Sequence, residues 1–299
     1  MGVLRHRDIG ETKPMRVTTG GKGLTHRQIG DLVTYTLLIV VTLLLTIPVI
    51  YLVSTSLKSE SEYISENLDF LPSSPQWRNY YLALTMIDFG RYASNSILLV
   101  TTFATLTVIT SSMAGYGFAR IPAFGRSKLF SVVVALILIP ASIFIIPQFV
   151  IFSNLRVTNS YWPWVLWGLA ASPFFIFLFR QFFLSFPAEL EEAAEMDGAR
   201  TFRIYLQIVL PNSYPALATS FILAFLSVWG DWLMPLLYLN DRNTTLAVKL
   251  INAYVNPQGF PIVTPTLAAS VLYILPPVIM FFFVQKYIMQ GVVTSGLKG

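Results

Sequence analysis

The sequence predicts an all-α integral membrane protein with six transmembrane helices and a cytoplasmic helix–turn–helix between spans four and five. Three observations lead there. The 299 residues are 55% hydrophobic and 12% charged, whereas about a quarter of a soluble domain is charged. The apolar residues gather in six long runs, near 32–53, 93–118, 129–152, 161–179, 213–239 and 264–285, each able as a helix to cross about 30 Å of hydrocarbon. None of the runs alternates as a barrel strand would, and a helix pairs its backbone N–H and C=O groups internally, as lipid demands.

Residues 1–31 are polar, basic and rich in Gly and Thr, which predicts a loose lead without a packed face. Within it, Thr19-Gly20-Gly21-Lys22-Gly23 lacks the glycine spacing and following hydroxyl of a phosphate loop. The run at 32–53 exceeds the apolar stretch of a signal peptide and reads as a retained first span. Lys and Arg mark the cytoplasmic side, and 14 of the 20 lie on the side shared by both termini. Both ends are therefore expected in the cytoplasm, residues 286–299 being a C-terminal tail. The formal charge of +5 follows from this asymmetry and calls for no nucleic acid.

Between the first two spans, residues 54–92 carry Pro72, Pro75, Trp77, Tyr80 and Tyr81 and are expected as short elements at the outer surface. Five of the six spans also hold proline, at Pro48, Pro140, Pro147, Pro173, Pro235 and the Pro276-Pro277 pair. Proline removes an internal hydrogen bond and bends a helix, which suits a path that opens and closes.

Spans four and five are joined by Phe186–Pro211. Pro187 followed by Glu189, Glu191 and Glu192 reads as a helix start, since carboxylates favour the positive end of the helix dipole. Gly198 ends that helix. A second stretch places Phe202, Tyr205 and Ile208 at helical spacing, and Pro211 closes it. The result is a short helical pair beneath the bilayer, with apolar residues in want of a partner.

Asp231, flanked by Trp229 and Trp232, is the single residue within the six runs that is charged at neutral pH. Intramembrane carboxylates are costly and face protein or water. It could line a path, with aromatic rings stacking on sugar faces, or it could bond a neighbouring helix or sit in an interfacial belt. Enzyme chemistry finds no footing here. Cysteine is absent, His6 and His26 lie in the polar lead, and no span holds paired carboxylates.

The segment 186–211 resembles the coupling loop of ABC importer permeases, whose pattern is E-A-A, three residues, G, nine residues, I, one residue, L-P. Glu192, Ala193, Ala194, Gly198, Ile208, Leu210 and Pro211 match its specified positions, with Asp197 beside the glycine. The resemblance spans roughly 32–299 and narrows to the permeases of maltose-type carbohydrate importers. Ala93-Ser94-Asn95-Ser96 and Ala114–Arg120 look like text of that family, as does Trp229–Tyr238, although Gly230 stands where the family normally has Asn. The tail 285–299 is similar to one that in some members reaches the ATPase dimer, which marks Gln290, Gly291 and Lys298 as ATPase-contacting candidates.

This resemblance implies a permease domain over 32–285 in a bacterial or archaeal inner membrane, forming half of a path for a sugar or oligosaccharide. It implies as partners a second permease, two ATP-binding subunits that hold the ATP and Mg, and an extracytoplasmic solute-binding protein. The chain itself would then be no enzyme and hold no cofactor. Asn95, Trp229, Asp231 and Trp232 are candidates for the substrate path. The competing reading is an ion-coupled secondary transporter, which needs intramembrane acids or unwound helices and leaves the pattern at 192–211 unexplained.

Overall fold

The computed structural model describes residues 26–65 and 69–296; most of the polar lead and Lys298 lie outside the described residues. The chain divides into two units, 1–50 and 51–299. The first unit contains most of α1 (His26–Ser56), an apolar helix with Pro48 inside it and almost every described side chain exposed, as a lipid-facing span requires.

In the second unit the chain runs through α2 (Glu60–Ile64), α3 (Arg78–Thr85), α4 (Phe89–Arg120), α5 (Arg126–Ile137), α6 (Ile145–Asn154), α7 (Trp162–Leu169) and α8 (Pro173–Ser185). It continues through α9 (Glu189–Met196), α10 (Thr201–Ile204), α11 (Leu210–Asn212), α12 (Tyr214–Trp229), α13 (Leu233–Tyr238), α14 (Leu246–Asn252) and α15 (Val263–Gly296). A 3₁₀ turn, Ala141–Phe144, precedes α6, and a π-helical turn, Tyr205–Val209, joins α10 to α11. No strand occurs among the described residues; Val255 and Pro261 form an isolated bridge.

Four stretches, Gly30–Ser56, Phe89–Arg120, Trp162–Ser185 and Val263–Lys286, are long and apolar enough to cross a membrane. Two more runs are bent helix pairs, α5 with the α6 region at 91° and Thr201–Asn212 with α12 at 80°. Counting each bent pair as one span gives six. The run at 129–152, expected as one proline-bent span, thus breaks at Pro140. The run at 213–239 breaks at Gly230-Asp231, and the last helix extends through Gly296.

The prolines explain the breaks. Pro140 immediately precedes the 3₁₀ turn, and Pro147, Pro163, Pro173, Pro215 and Pro235 lie in the first turn of their helices, where the missing N–H has no partner to lose; Pro211 instead follows the π-helical turn near the end of a continuous helical stretch. They start helices more often than they bend them, whereas Pro276 and Pro277 remain inside α15.

α4 is the spine of this unit, packed against α7, α8 and α12. Close approach depends on glycine: a Cβ at Gly115 would lie 2.6 Å from Phe179 Cβ, and one at Gly168 would lie 2.8 Å from Leu106 Cβ. Leu99, Val100, Trp164, Phe179, Phe183 and Tyr238 fill the core between these helices. The break between α7 and α8, with Ala171 in the left-handed region, frees backbone groups that α4 recovers. Thr110 donates to the Gly168 carbonyl at 2.7 Å, and Ser172 N–H donates to Ser111 Oγ at 3.0 Å.

The Glu60 carboxylate accepts hydrogen bonds from Val263 N–H (3.1 Å), Thr264 N–H (3.2 Å) and Thr264 Oγ1 (3.0 Å) at the start of α15. An anion there meets the positive end of the helix dipole. Ser96 Oγ accepts from Leu246 N–H at 2.8 Å, satisfying an amide that the start of α14 leaves free.

Candidate functional site

The segment 186–211 is built around one backbone angle. Gly198 has φ +80°; its N–H donates to the Glu195 carbonyl and Ala199 N–H donates to the Ala194 carbonyl, both at 2.9 Å. These two bonds form a Schellman stop that closes α9 and turns the chain toward α10. Buried Ala194 and half-buried Ala199 pack at that turn, adding the apolar contact that such stops favour.

α9 has two faces. Outward lie Glu192, Ala193, Asp197 and Gly198, together with Leu190 (47% exposed) and Met196 (89% exposed). Beyond the turn Phe202 and Leu206 are also exposed, on the lining of an apolar cavity beside α4 and α12. Inward lies Glu191, whose Oε1 makes a 2.9 Å ion pair with Arg120 Nε and whose Oε2 accepts from the Tyr116 hydroxyl at 2.9 Å. Arg120 also donates to the Phe186 carbonyl at the end of α8. Leaving one member of this largely buried pair unpartnered is destabilising, because its charge keeps little access to water.

Further along, Tyr205 and Ser112 share a buried hydroxyl hydrogen bond of 2.7 Å, and the Tyr205 ring lies 5.1 Å from that of Tyr116. Ile208 and Leu210 pack on the core while Pro211 stays exposed. Asn212 Nδ2 donates to the Ile208 carbonyl at 2.6 Å, within the stretch where the π-helical turn leads into the 80° bend. Beside Tyr205 opens an apolar cavity of about 580 Å³, bounded by Ile109, Met113, Leu217 and Phe221.

The residues considered for a path are scattered over different tasks. Trp229 is 4% exposed, stacked between Phe225 at 5.2 Å and Tyr273 at 5.1 Å, and its Nε1 donates to the Tyr273 carbonyl at 3.2 Å. Asp231 Oδ1 accepts from Leu233 N–H (3.0 Å) and Met234 N–H (3.2 Å), capping α13 where the span breaks. Trp232 is 45% exposed. Asn95 Nδ2 donates to the Thr244 carbonyl at 3.0 Å, holding the loop before α14. Gln290 and Gly291 lie in the final part of α15.

Sequence reasoning overlooked Glu191, Arg120, Tyr116, Ser112 and Tyr205 as a set. Their one signal is spacing: 112, 116 and 120 fall four apart on a single helix and so share a face.

A protein-family model for binding-protein-dependent transport system inner membrane components matches residues 107–293. An arabinooligosaccharides transport system permease of Bacillus subtilis (strain 168) is 33% identical, over 86% of this chain and 92% of that protein. A lactose transport system permease of Rhizobium radiobacter is 27% identical, over 90% and 97%. Among solved structures, a chain of a bacterial ABC transporter involved in the import of the acidic polysaccharide alginate aligns with TM-score 0.75 and 24% identity. That alignment covers 87% of this chain and 96% of the other, and marks a shared fold.

Proposed function

The chain belongs to the family of binding-protein-dependent transport system inner membrane components, and from that premise we propose that it carries a sugar or oligosaccharide. Relatives named for arabinooligosaccharides, lactose and diacetylchitobiose support the solute class. In this reading the chain forms half of a translocation path with a second permease, and an extracytoplasmic binding protein delivers the solute. Two ATP-binding subunits hold ATP and its magnesium ion and do the hydrolysis. Both termini face the cytoplasm, as does the segment 186–211.

The observation that carries the reading is the outward face of α9. A helix stopped at Gly198 presents small Ala193, acidic Glu192 and Asp197, and apolar Leu190 and Met196 to whatever lies beyond the chain. Exposed apolar side chains outside the hydrocarbon mark an interaction surface, and small residues permit close approach. Among the coupling residues, Glu192, Ala193, Asp197 and Gly198 form the docking face, Ala194, Ile208 and Leu210 seat the segment on the core, and Pro211 ends it; Gln290, Gly291 and Lys298 reach the same subunits from the tail. Asn95, Asp231 and Trp232 are assigned to the path's outer end, with Trp229 as their support.

The test is direct. The chain has no cysteine, so Met196→Cys supplies the one thiol of this subunit, expected in the assembled transporter to crosslink to an ATP-binding subunit. Calorimetry on the binding protein that co-purifies should show an oligosaccharide ligand. Crosslinks that land only on other proteins, or a binding protein indifferent to sugars, would refute the corresponding half of the reading.

A further inference from the structure

Of the four glutamates on α9, Glu189, Glu192 and Glu195 point outward, and Glu191 alone is buried. Turning a carboxylate inward is unfavourable unless it is paired and hydrogen-bonded. Here both oxygens are committed to the same helix, one to Arg120 and the other to Tyr116. Ser112, Tyr116 and Arg120 stand at successive four-residue steps along α4, each tied to the segment 186–209: Ser112 to Tyr205, Tyr116 to Glu191, Arg120 to Glu191 and Phe186. Apolar contacts alone could slide by a fraction of a turn. The directional hydrogen bonds of Tyr116 to Glu191, Ser112 to Tyr205 and Arg120 to the Phe186 carbonyl hold a fixed register, and the Arg120–Glu191 ion pair adds its attraction.

We propose that Glu191, clamped by Arg120 and Tyr116, is the positioning residue that makes α9 and α4 move as one body, so that displacement of the exposed face is delivered to the far end of α4. This deepens the docking reading above and rests on it. The outward residues would then receive the motion and the inward carboxylate would pass it on, a division of labour between neighbours Glu192 and Glu191.

Ser94 is exposed near the other end of α4, about 40 Å from Arg120 along the helix at 1.5 Å per residue. In the complete transporter in proteoliposomes, the labelling rate of Ser94→Cys by a membrane-impermeant maleimide is compared without nucleotide and with vanadate-trapped ATP. Met196→Cys crosslinking to the ATP-binding subunit is measured in parallel. With the clamp intact, nucleotide changes the Ser94→Cys rate. Glu191→Gln is expected to keep the crosslink while that nucleotide response shrinks by about tenfold, within the usual range for energetic coupling between sites.

A response preserved in Glu191→Gln overturns the proposal, and so does its loss together with the crosslink, which would mean that α9 is merely mis-seated. An unmodified background in which Ser94→Cys ignores nucleotide also overturns it. Should Glu191→Gln fail to assemble, Tyr116→Phe decides by the same readout, since it deletes one hydrogen bond and keeps the ring. Absence of the crosslink in the unmodified background would instead strike the docking reading.

Discussion

At Gly198 a single backbone angle separates two kinds of damage. A Cβ there would meet nothing within 4 Å, so the cost of substitution is conformational: about 1–2 kcal/mol for an ordinary L-residue held in the left-handed region, and less for Asn or Asp. Gly198→Val is therefore expected to lower the thermal stability of the purified chain more than Gly198→Asn, which a melting curve resolves. Gly198→Asp should insert normally and still transport poorly, because its charge lies on the docking face. Normal transport by that variant would remove the face's assigned role. Trp229 and Asp231 divide in a similar way. Trp229→Ala empties a stacked site between Phe225 and Tyr273 and should cost about 3–5 kcal/mol in stability, whatever its effect on uptake. Asp231→Asn keeps an oxygen to cap Leu233 and Met234, so its uptake reports the charge alone. An apparent affinity unchanged in Asp231→Asn would end the path assignment for that carboxylate.

Among elements, the close pairs with α4 decide which substitutions are tolerated. Gly115 faces Phe179 Cβ at 2.6 Å and the Arg180 backbone nitrogen at 3.1 Å from an added Cβ, so Gly115→Ala must push two helices apart. Overpacking of this kind costs about 1–3 kcal/mol, and the expected result is a lower melting temperature for the detergent-purified chain. Gly117→Ala, where the added carbon meets nothing within 4 Å, serves as its control, and equal melting temperatures would contradict the packing argument. The broken spans follow a related logic. Interrupting a helix inside a membrane leaves amides and carbonyls that hydrocarbon cannot satisfy, and Thr110 and Ser111 of α4 take up that role at the α7–α8 break.

For the whole molecule, topology and energy source are the quantities that matter. Trp77 is 69% exposed between α1 and α4, and Met196 belongs to the segment proposed as cytoplasmic. In intact cells an impermeant maleimide should therefore label Trp77→Cys and spare Met196→Cys; the opposite pattern would invert the protein in the membrane. Uptake should collapse on ATP depletion and survive an uncoupler that dissipates ion gradients. Neither the relatives nor the fold favours ion coupling, and Asp231, the acid that reading needed, is engaged in capping α13.

Hydropathy and motif spacing are local properties, and what depends on them was legible in the residue string: a helical membrane protein, its apolar runs, and the E-A-A to L-P pattern at 192–211. Proline was legible as a marker of irregularity, but whether Pro140 breaks a span while Pro276-Pro277 sits inside one depends on neighbouring groups that receive the freed hydrogen bonds. The roles of adjacent Glu191 and Glu192 were likewise closed to the sequence. Their chemistry is identical, and only the packing of α9 on α4 sends one carboxylate to Arg120 and Tyr116, 75 residues before it in the case of the tyrosine, and leaves the other exposed. Composition and spacing state what a segment needs, a bilayer or a partner; three-dimensional packing selects which side chain meets which, because desolvation and pairing energies depend on distances between residues far apart along the chain.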